Sequence, residues 1–141
     1  MKNIIMDKVG YFNLIDFSYA IKYSDKNLLN SYIVADKKET SPEMLKHSNY
    51  DYNSDYYRIG VIIYYLIFKK YVNAVKKLNN ITEIIINHKI VKNYTSLCID
   101  FLNKLLITDY KKRLGFKNID ELKNHLWFRG FDWKKFKKKK N

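Results

Sequence analysis

Two polar side chains near the start of the chain are the first candidates for chemistry. Asn3 and Asp16 lie thirteen residues apart, at the two ends of a segment with the pattern of a β-hairpin. Because a hairpin brings its two ends side by side, we expect the amide of Asn3 and the carboxylate of Asp16 to be neighbours. Carbonyl and carboxylate oxygens are ligands that hard cations prefer. One Asn and one Asp at hairpin ends are also ordinary turn residues, so the pair alone leaves both roles open.

The segment between these two side chains determines their positions. Two short stretches, Asn3–Asp7 and Tyr11–Phe17, flank a Lys-Val-Gly turn that ends at Gly10. This pattern predicts two short strands joined by a tight turn. The polar residues 22–40 then predict a long loop that ends at Pro42. Long loops in compact domains are often functional.

The remainder of the chain predicts helices. The longest apolar run, Ile59–Phe68, has ten residues, and about 18–20 would be needed to span a bilayer. Because the run is apolar on every side, it predicts a helix surrounded by protein. Helical spacing also marks residues 81–90 and 97–107, and a last helix is expected from Ile119 to about Leu126. The apolar stripe of the helix at 97–107 comprises Leu97, Phe101, Leu102, Leu105 and Leu106, widened by Cys98 and Ile99.

The composition bounds the fold and the partners. A chain of 141 residues with 47% hydrophobic and 16% aromatic residues is expected to fold as a single domain. Its net charge of +13 would suggest a nucleic acid or an anionic membrane as partner, but six of the lysines fall within residues 134–141. This distribution argues against nucleic acid and leaves weak binding of the lysine tail to an anionic surface as the alternative.

Cysteine usage and the start of the chain predict the compartment. The single cysteine, Cys98, cannot form an internal disulfide, and no basic-then-apolar signal segment precedes the first predicted strand. No apolar run is long enough for a transmembrane segment. We therefore expect an intracellular protein, cytoplasmic in the first instance, with the nucleus also open.

The order of short motifs resembles the C-terminal lobe (C-lobe) of a eukaryotic protein kinase domain. In that family an Asn closes the catalytic loop before a hairpin, and Asp-Phe-Gly follows the hairpin at the spacing seen here. The segment 123–133, with a Lys-x-His-x-x-Phe pattern followed by Asp-Trp, resembles the cyclic-AMP-dependent kinase-like (AGC) group of Ser/Thr kinases. Taken singly, its histidine and aromatic residues would be core or capping residues. The motifs that carry the resemblance are Asn3, Asp16-Phe17-Ser18, Ser41-Pro42-Glu43, Asp55 with Gly60, and Arg113-Leu114-Gly115.

The resemblance implies a role for several of these residues. Asn3 and Asp16 would hold Mg²⁺ on the phosphates of ATP, and Phe17 would pack behind the nucleotide site. Glu43 would form a buried bidentate pair with Arg113, which lies seventy residues further along the chain. The pairing of Glu43 with Arg113 would depend on the tertiary fold, whereas the hairpin alone would bring Asn3 and Asp16 together.

The resemblance also implies the architecture. Asp55 would open the central helix and hydrogen-bond back to the catalytic loop, although read alone it is also an acid suited to a helix N-terminus. Gly60, on the same helix, would have a structural role. The expected fold is mainly α, a protein-kinase-like C-lobe with a short β-hairpin near the N-terminus and about four to six helices. Residues 1–136 would be a partial kinase domain and residues 137–141 a basic tail.

The chain departs from the family pattern in several places. It contains no Gly-rich loop, no strand lysine paired with a helix glutamate and no His-Arg-Asp loop, so the general-base Asp lies outside the chain and no catalytic residue is assigned within it. Ser18 replaces the Gly of Asp-Phe-Gly, which removes the freedom to adopt positive φ. Residues 35–40 differ from the substrate-docking loop of AGC kinases.

These observations predict the C-lobe of an AGC-like Ser/Thr protein kinase that is inactive as this chain alone. Its partners would be a protein substrate or docking protein and the N-terminal lobe (N-lobe) segment that the family requires. A non-catalytic, pseudokinase-like protein-binding module is the alternative. Because a family helix that covers the run Ile59–Phe68 is not present in the sequence, we also expect exposed apolar surface.

Overall fold

The computed structural model describes residues 3–18, 20–22, 39–46, 51–72, 86 and 94–138.

The hairpin forms where the sequence predicts it. Strands β1 (Ile4–Met6) and β2 (Phe12–Leu14) pair antiparallel, with Ile5 opposite Asn13. The turn between them is fixed by the carboxylate of Asp7, whose Oδ1 accepts hydrogen bonds from the backbone N–H of Val9 (3.0 Å) and Tyr11 (2.9 Å). Gly10 completes the turn with φ of +93°, a left-handed conformation that glycine adopts without strain.

Helices make up most of the remaining described structure, which confirms the predicted mainly α class. The predicted central helix begins earlier than its apolar run, and the last predicted helix ends earlier than expected, at Lys123. The helix predicted over residues 81–90 lies outside the described residues apart from Ile86, as does most of the loop predicted over 22–40. The described residues contain five α-helices: α1 (Pro42–Leu45), α2 (Asn53–Phe68), α3 (Ser96–Leu105), α4 (Asp120–Lys123) and α5 (Trp133–Lys138). They also contain two 3₁₀ turns, Tyr110–Lys112 and Leu126–Phe128.

The core lies between α2 and α3. Tyr57 and Val61 of α2 pack against Leu102 of α3 and against Leu106, which directly follows α3, and these four side chains are buried. Burial of an aliphatic side chain of this size is worth about 1.5–3 kcal/mol, so this contact is a substantial apolar source of stability among the described residues. A second cluster continues it on the other side of α3, where Phe101, Leu105 and Leu122 are buried together.

Gly60 sets the distance between these two helices. A Cβ added at this position would lie 3.0 Å from Cβ of Leu105 and 3.0 Å from Cδ2 of Leu106. Contacts of that length are tighter than ordinary van der Waals packing, so a larger residue would push α3 away from α2. The structural role implied for Gly60 therefore has a direct geometric basis.

Two predictions about the core were wrong in detail. The run Ile59–Phe68 is not surrounded by the described residues, since Ile59 is 41% and Leu66 is 52% exposed. Part of the apolar run of α2 is left exposed among the described residues, which matches the separate expectation of exposed apolar surface. Leu97 belongs to the predicted apolar stripe of α3 but is 39% exposed. At 3.6 residues per turn it points about 120° away from the centre of the stripe formed by the buried residues.

The C-terminal helix α5 joins the hairpin through aromatic rings. Its Phe136 ring lies 6.2 Å from that of Tyr11, beside the hairpin turn, and 5.6 Å from that of Phe131. The lysines of α5 are exposed to solvent. None of the helices in the described part of the chain is both long enough and apolar enough to cross a bilayer.

Candidate functional site

The structure places Asn3 and Asp16 next to each other at the open end of the hairpin. The backbone N–H of Ile15 donates to the carbonyl of Asn3 at 2.9 Å and extends the strand ladder to this pair. Nδ2 of Asn3 lies 3.5 Å from Oδ2 of Asp16, a long and weak hydrogen bond. Both side chains are exposed, so a ligand can reach them.

The carboxylate of Asp16 is oriented by its own loop. Asp16 has φ of +59°, in the left-handed region that Asp tolerates better than most residues. Its Oδ1 accepts hydrogen bonds from the hydroxyl of Ser18 at 2.6 Å and from the backbone N–H of Ser18 at 3.2 Å. These two hydrogen bonds from Ser18, the stronger being that of the side chain, lower the pKa of Asp16, with a smaller contribution from Asn3. The carboxylate is therefore ionised at neutral pH.

Ser18, which replaces the glycine of the motif, does not have positive φ. Among the described residues other than glycine, positive φ occurs at Asp16 and Lys69, not at Ser18. The loss of glycine's freedom at position 18 thus causes no strain in this conformation, because the left-handed residue of the loop is Asp16. The contacts of the Ser18 hydroxyl were not predicted, since motif spacing carries no information on where a hydroxyl points.

The donor set at this hairpin end fits a hard divalent cation. Asp16 offers an ionised carboxylate, and the amide of Asn3 offers a carbonyl oxygen once the group is turned by 180°. Within the described part of the chain, no three His, Cys, Asp or Glu side chains cluster as a metal site. A cation held here would need its other ligands from water or a bound phosphate, which is how Mg²⁺ is commonly held.

The side chain of Phe17, at the end of the hairpin segment, is exposed. Its side chain is 64% exposed, and no described residue stacks on its ring. We name the exposed large apolar side chains of residues 5–17, which lie on both faces of the hairpin, the hairpin apolar surface. Its members are Ile5, Met6, Val9, Phe12, Leu14, Ile15 and Phe17. The nucleotide-site role of Phe17 stays a prediction.

The structure brings Glu43 and Arg113 together in the interior. Nη1 of Arg113 donates to Oε1 of Glu43 at 2.7 Å and Nη2 donates to Oε2 at 2.9 Å, a bidentate pair. The side chain of Arg113 is 0% exposed and that of Glu43 is 4% exposed. Arg113 also donates to the carbonyls of Asn53 (2.8 Å) and Ile107 (3.1 Å), while the hydroxyl of Ser54 donates to Glu43 at 2.9 Å. This network ties α1, the start of α2 and the chain after α3 to one another.

The electrostatics of the buried pair follow from its geometry. Burial by itself raises the pKa of Glu43, but the hydrogen bonds and charge of Arg113 outweigh burial and hold that pKa below its ordinary value. The guanidinium of Arg113 also lies 4.9 Å from the ring centroid of Tyr57, within cation–π range. Burial raises the pKa of Tyr57 to about 12, against the lowering effect of Arg113. Glu43 is therefore ionised and Tyr57 neutral throughout the physiological range.

Among the predicted site residues, Asp55 is the one for whose predicted role the structure provides the least information. It lies in the first turn of α2 and is exposed, and its carboxylate accepts no hydrogen bond from any described residue. Partial loss of hydration raises the pKa of Asp55, while the positive charge of Arg58 lowers it. Its hydrogen bond to a catalytic loop stays a prediction.

The C-terminal motif has a structural use. Nδ1 of His125 accepts a hydrogen bond from the backbone N–H of Trp127 at 3.2 Å and caps the 3₁₀ turn. Its Nε2 lies 3.0 Å from Oδ2 of Asp100 on α3, which also accepts from Lys104 at 2.7 Å. Trp133 donates from Nε1 to the carbonyl of Lys123 at 3.2 Å. This motif therefore fastens the C-terminal segment to α3.

Comparisons with known proteins agree with these motifs. The family described as Protein kinase domain matches residues 1–128. A cAMP-dependent protein kinase, catalytic subunit-like, of Caenorhabditis elegans is 26% identical over 94% of this chain and 33% of its own length. A serine/threonine-protein kinase of Arabidopsis thaliana is 28% identical over 95% of this chain and 29% of its own. The cAMP-dependent protein kinase catalytic subunit 2 of Drosophila melanogaster is 25% identical over 94% and 38%. The chain thus spans about a third of the length of the curated relatives it matches.

Proposed function

Because this chain belongs to the protein kinase family and resembles its AGC group, we propose that it is the C-lobe of a Ser/Thr protein kinase. The reaction of the complete domain is transfer of the γ-phosphoryl group of ATP to a Ser or Thr hydroxyl of a protein. The observation that carries the proposal is the adjacency of Asn3 and Asp16 at the open end of the hairpin, with Nδ2 and Oδ2 3.5 Å apart.

In this proposal Asn3 and Asp16 hold Mg²⁺ against the phosphates of ATP. When bound, the cation neutralises charge on the phosphates, which is a main part of catalysis in this family. The described residues contribute the ligands and their orientation. Asp16 supplies an ionised carboxylate, Asn3 supplies the amide oxygen, and the buried Glu43–Arg113 pair holds the lobe that carries the hairpin. Protein Ser/Thr hydroxyls are the proposed substrates.

We propose that residues 1–141 do not catalyse phosphoryl transfer by themselves. Phosphoryl transfer in this family needs a carboxylate that accepts the substrate proton, together with a Gly-rich loop and a lysine at the phosphates. No segment of the 141 residues matches these three motifs. ATP-dependent phosphorylation of a Ser/Thr peptide by the purified chain, lost in Asp16→Ala, would refute this part of the proposal.

The metal site can be tested without activity. Mn²⁺ has the ligand preferences of Mg²⁺ and broadens nearby NMR signals, so titration of ¹⁵N-labelled chain with Mn²⁺ reports the site directly. We expect the amide signals of Asn3 and Asp16 to broaden first, and we expect Asp16→Asn to abolish this early broadening. Asp120→Asn is the matched control, since Asp120 is another exposed carboxylate, at the start of α4. Equal broadening in the Asp16→Asn variant and the unmodified chain would contradict the proposed site.

A non-catalytic docking module is the second candidate function. The observation that favours it is the hairpin apolar surface, because exposed apolar patches of this kind mark interaction sites. The same surface is also expected to be exposed in this chain if an N-lobe covers it in the complete kinase domain. The Mn²⁺ titration separates the two: if the cation does not bind at Asp16, binding through this surface becomes the leading function.

A further inference from the structure

The hydroxyl of Ser18 makes the shortest polar contact at the candidate metal site. It donates to Oδ1 of Asp16 at 2.6 Å, within the range of strong O–H···O⁻ hydrogen bonds. The motif that this segment resembles has glycine here, which can offer only its backbone N–H. In this chain the backbone N–H of Ser18 is 3.2 Å from the same oxygen. The side chain thus adds a second and stronger donor to a contact that the backbone alone would make weakly.

The two donors of Ser18 divide the carboxylate of Asp16 into two unequal oxygens. Oδ1 receives both hydrogen bonds from Ser18, whereas Oδ2 faces the amide of Asn3 at the long distance of 3.5 Å. Among the described residues no other group donates to this carboxylate. Oδ1 is therefore fixed to the loop, and Oδ2 has lone pairs available on the side of Asn3.

Little else in the loop can hold the carboxylate in this direction. Asp16 is exposed, so little packing restrains its side chain, and its φ of +59° orients the backbone but does not by itself select a single χ1 rotamer. A side chain that must be ordered by a ligand loses conformational entropy when the ligand binds. A carboxylate already held by a hydroxyl has lost part of that entropy before binding.

We propose that Ser18 is a positioning residue for the metal-binding carboxylate, with its hydroxyl holding Oδ1 of Asp16 so that Oδ2 faces the cation shared with Asn3. This inference rests on the proposed function, because it needs a cation at Asp16. It also gives a role to the residue that departs from the family motif. Hydrogen-bond partners behind a metal ligand typically change metal affinity by about 10- to 100-fold when they are removed.

The experiment is a Mn²⁺ titration of the full 141-residue chain, followed by water-proton relaxation and by broadening of the Asp16 amide signal. Four variants are compared: Ser18→Ala, Ser18→Thr, Asp16→Asn and Ser96→Ala. Ser18→Ala removes the hydroxyl and keeps the backbone N–H, while Ser18→Thr keeps both. Ser96→Ala is the matched control, since Ser96 is an exposed serine at the start of α3.

The expected results separate a positioning role from a merely structural one. Ser18→Ala should weaken Mn²⁺ binding about tenfold, the lower end of the usual range because the site is exposed. Ser18→Thr should bind within about twofold of the unmodified chain, and Ser96→Ala should not differ from it. All four variants should have the melting temperature of the unmodified chain, since Asp16, Ser18 and Ser96 are exposed and outside the core.

Two outcomes would overturn the inference and a third would overturn its premise. If Ser18→Ala binds Mn²⁺ as well as or better than the unmodified chain while Asp16→Asn does not bind, the hydroxyl does not support the site and the proposed function stands. If Ser18→Thr is as weak as Ser18→Ala, the hydroxyl is not the cause of the loss. If Asp16→Asn binds Mn²⁺ normally, the metal site itself is wrong.

Discussion

Replacing Arg113 with methionine tests whether the buried ion pair holds the lobe together. Methionine has a long apolar side chain that can occupy much of the same space but cannot donate a hydrogen bond. The change removes the two donors to Glu43 and the two donors to the carbonyls of Asn53 and Ile107. Glu43 would remain in the interior as a carboxylate without its cation.

The expected loss of stability is large. Removing one partner of a buried pair typically costs about 3–5 kcal/mol, because the other charge is left uncompensated. Native domains are stable by about 5–15 kcal/mol, so the variant should lose a major part of its free energy of unfolding. At this chain length, each kcal/mol corresponds to about 3–4 °C, which predicts a melting temperature lower by about 10 °C or more.

Urea unfolding followed by circular dichroism at 222 nm measures this loss, and a double-mutant cycle assigns its cause. Glu43→Gln removes the negative charge and leaves a neutral group of similar size. The double variant of Arg113→Met and Glu43→Gln should be more stable than Arg113→Met alone, with a coupling energy of about 2 kcal/mol or more. A loss below about 1 kcal/mol in Arg113→Met, or additive losses in the cycle, would refute the reasoning that an uncompensated charge is the cause.

Two further predictions follow from the same structure. The pKa of Glu43 is held below its ordinary value of 4.5 in the folded chain. The stabilisation by Glu43 is therefore complete above that pH and is lost as pH falls through the lowered pKa. In urea unfolding below pH 4.5, Glu43→Gln should show a shallower loss of stability with falling pH than the unmodified chain. Gly115→Ala should cost about 2–5 kcal/mol, since φ is +96° and the added Cβ would clash with Leu122 and lie 2.6 Å from Cδ2 of Tyr56. Gly130→Ala, with φ of +83° and open space around it, should cost only about 1–2 kcal/mol, and equal losses of unfolding free energy would contradict the packing argument.

Local patterns predicted the elements of this fold better than the contacts between them. Alternation and the glycine at position 10 were sufficient for the hairpin, because its register depends on residues within the segment itself. The exposure of Leu97 follows from its angle on the helix. The exposure of Ile59 was not predictable from periodicity, because a run that is apolar on every side does not show which neighbour covers each side. The hydroxyl contact of Ser18 was missed for a related reason: spacing places the residue in the loop, whereas its hydrogen bond depends on the left-handed conformation of Asp16.

The buried pair and the candidate metal site depend on different physics, so their perturbations should separate. Glu43 and Arg113 are in the interior, where charge without a partner destabilises the fold, whereas Asp16 and Ser18 are exposed and contribute little to packing. A change at Asp16 should therefore remove cation binding at unchanged stability. A change at Arg113 should reduce stability first and weaken cation binding only in proportion to unfolding. If Arg113→Met weakened Mn²⁺ binding under conditions where the chain is still fully folded, the pair would have to act on the hairpin through the native structure, and the separation argued here would fail.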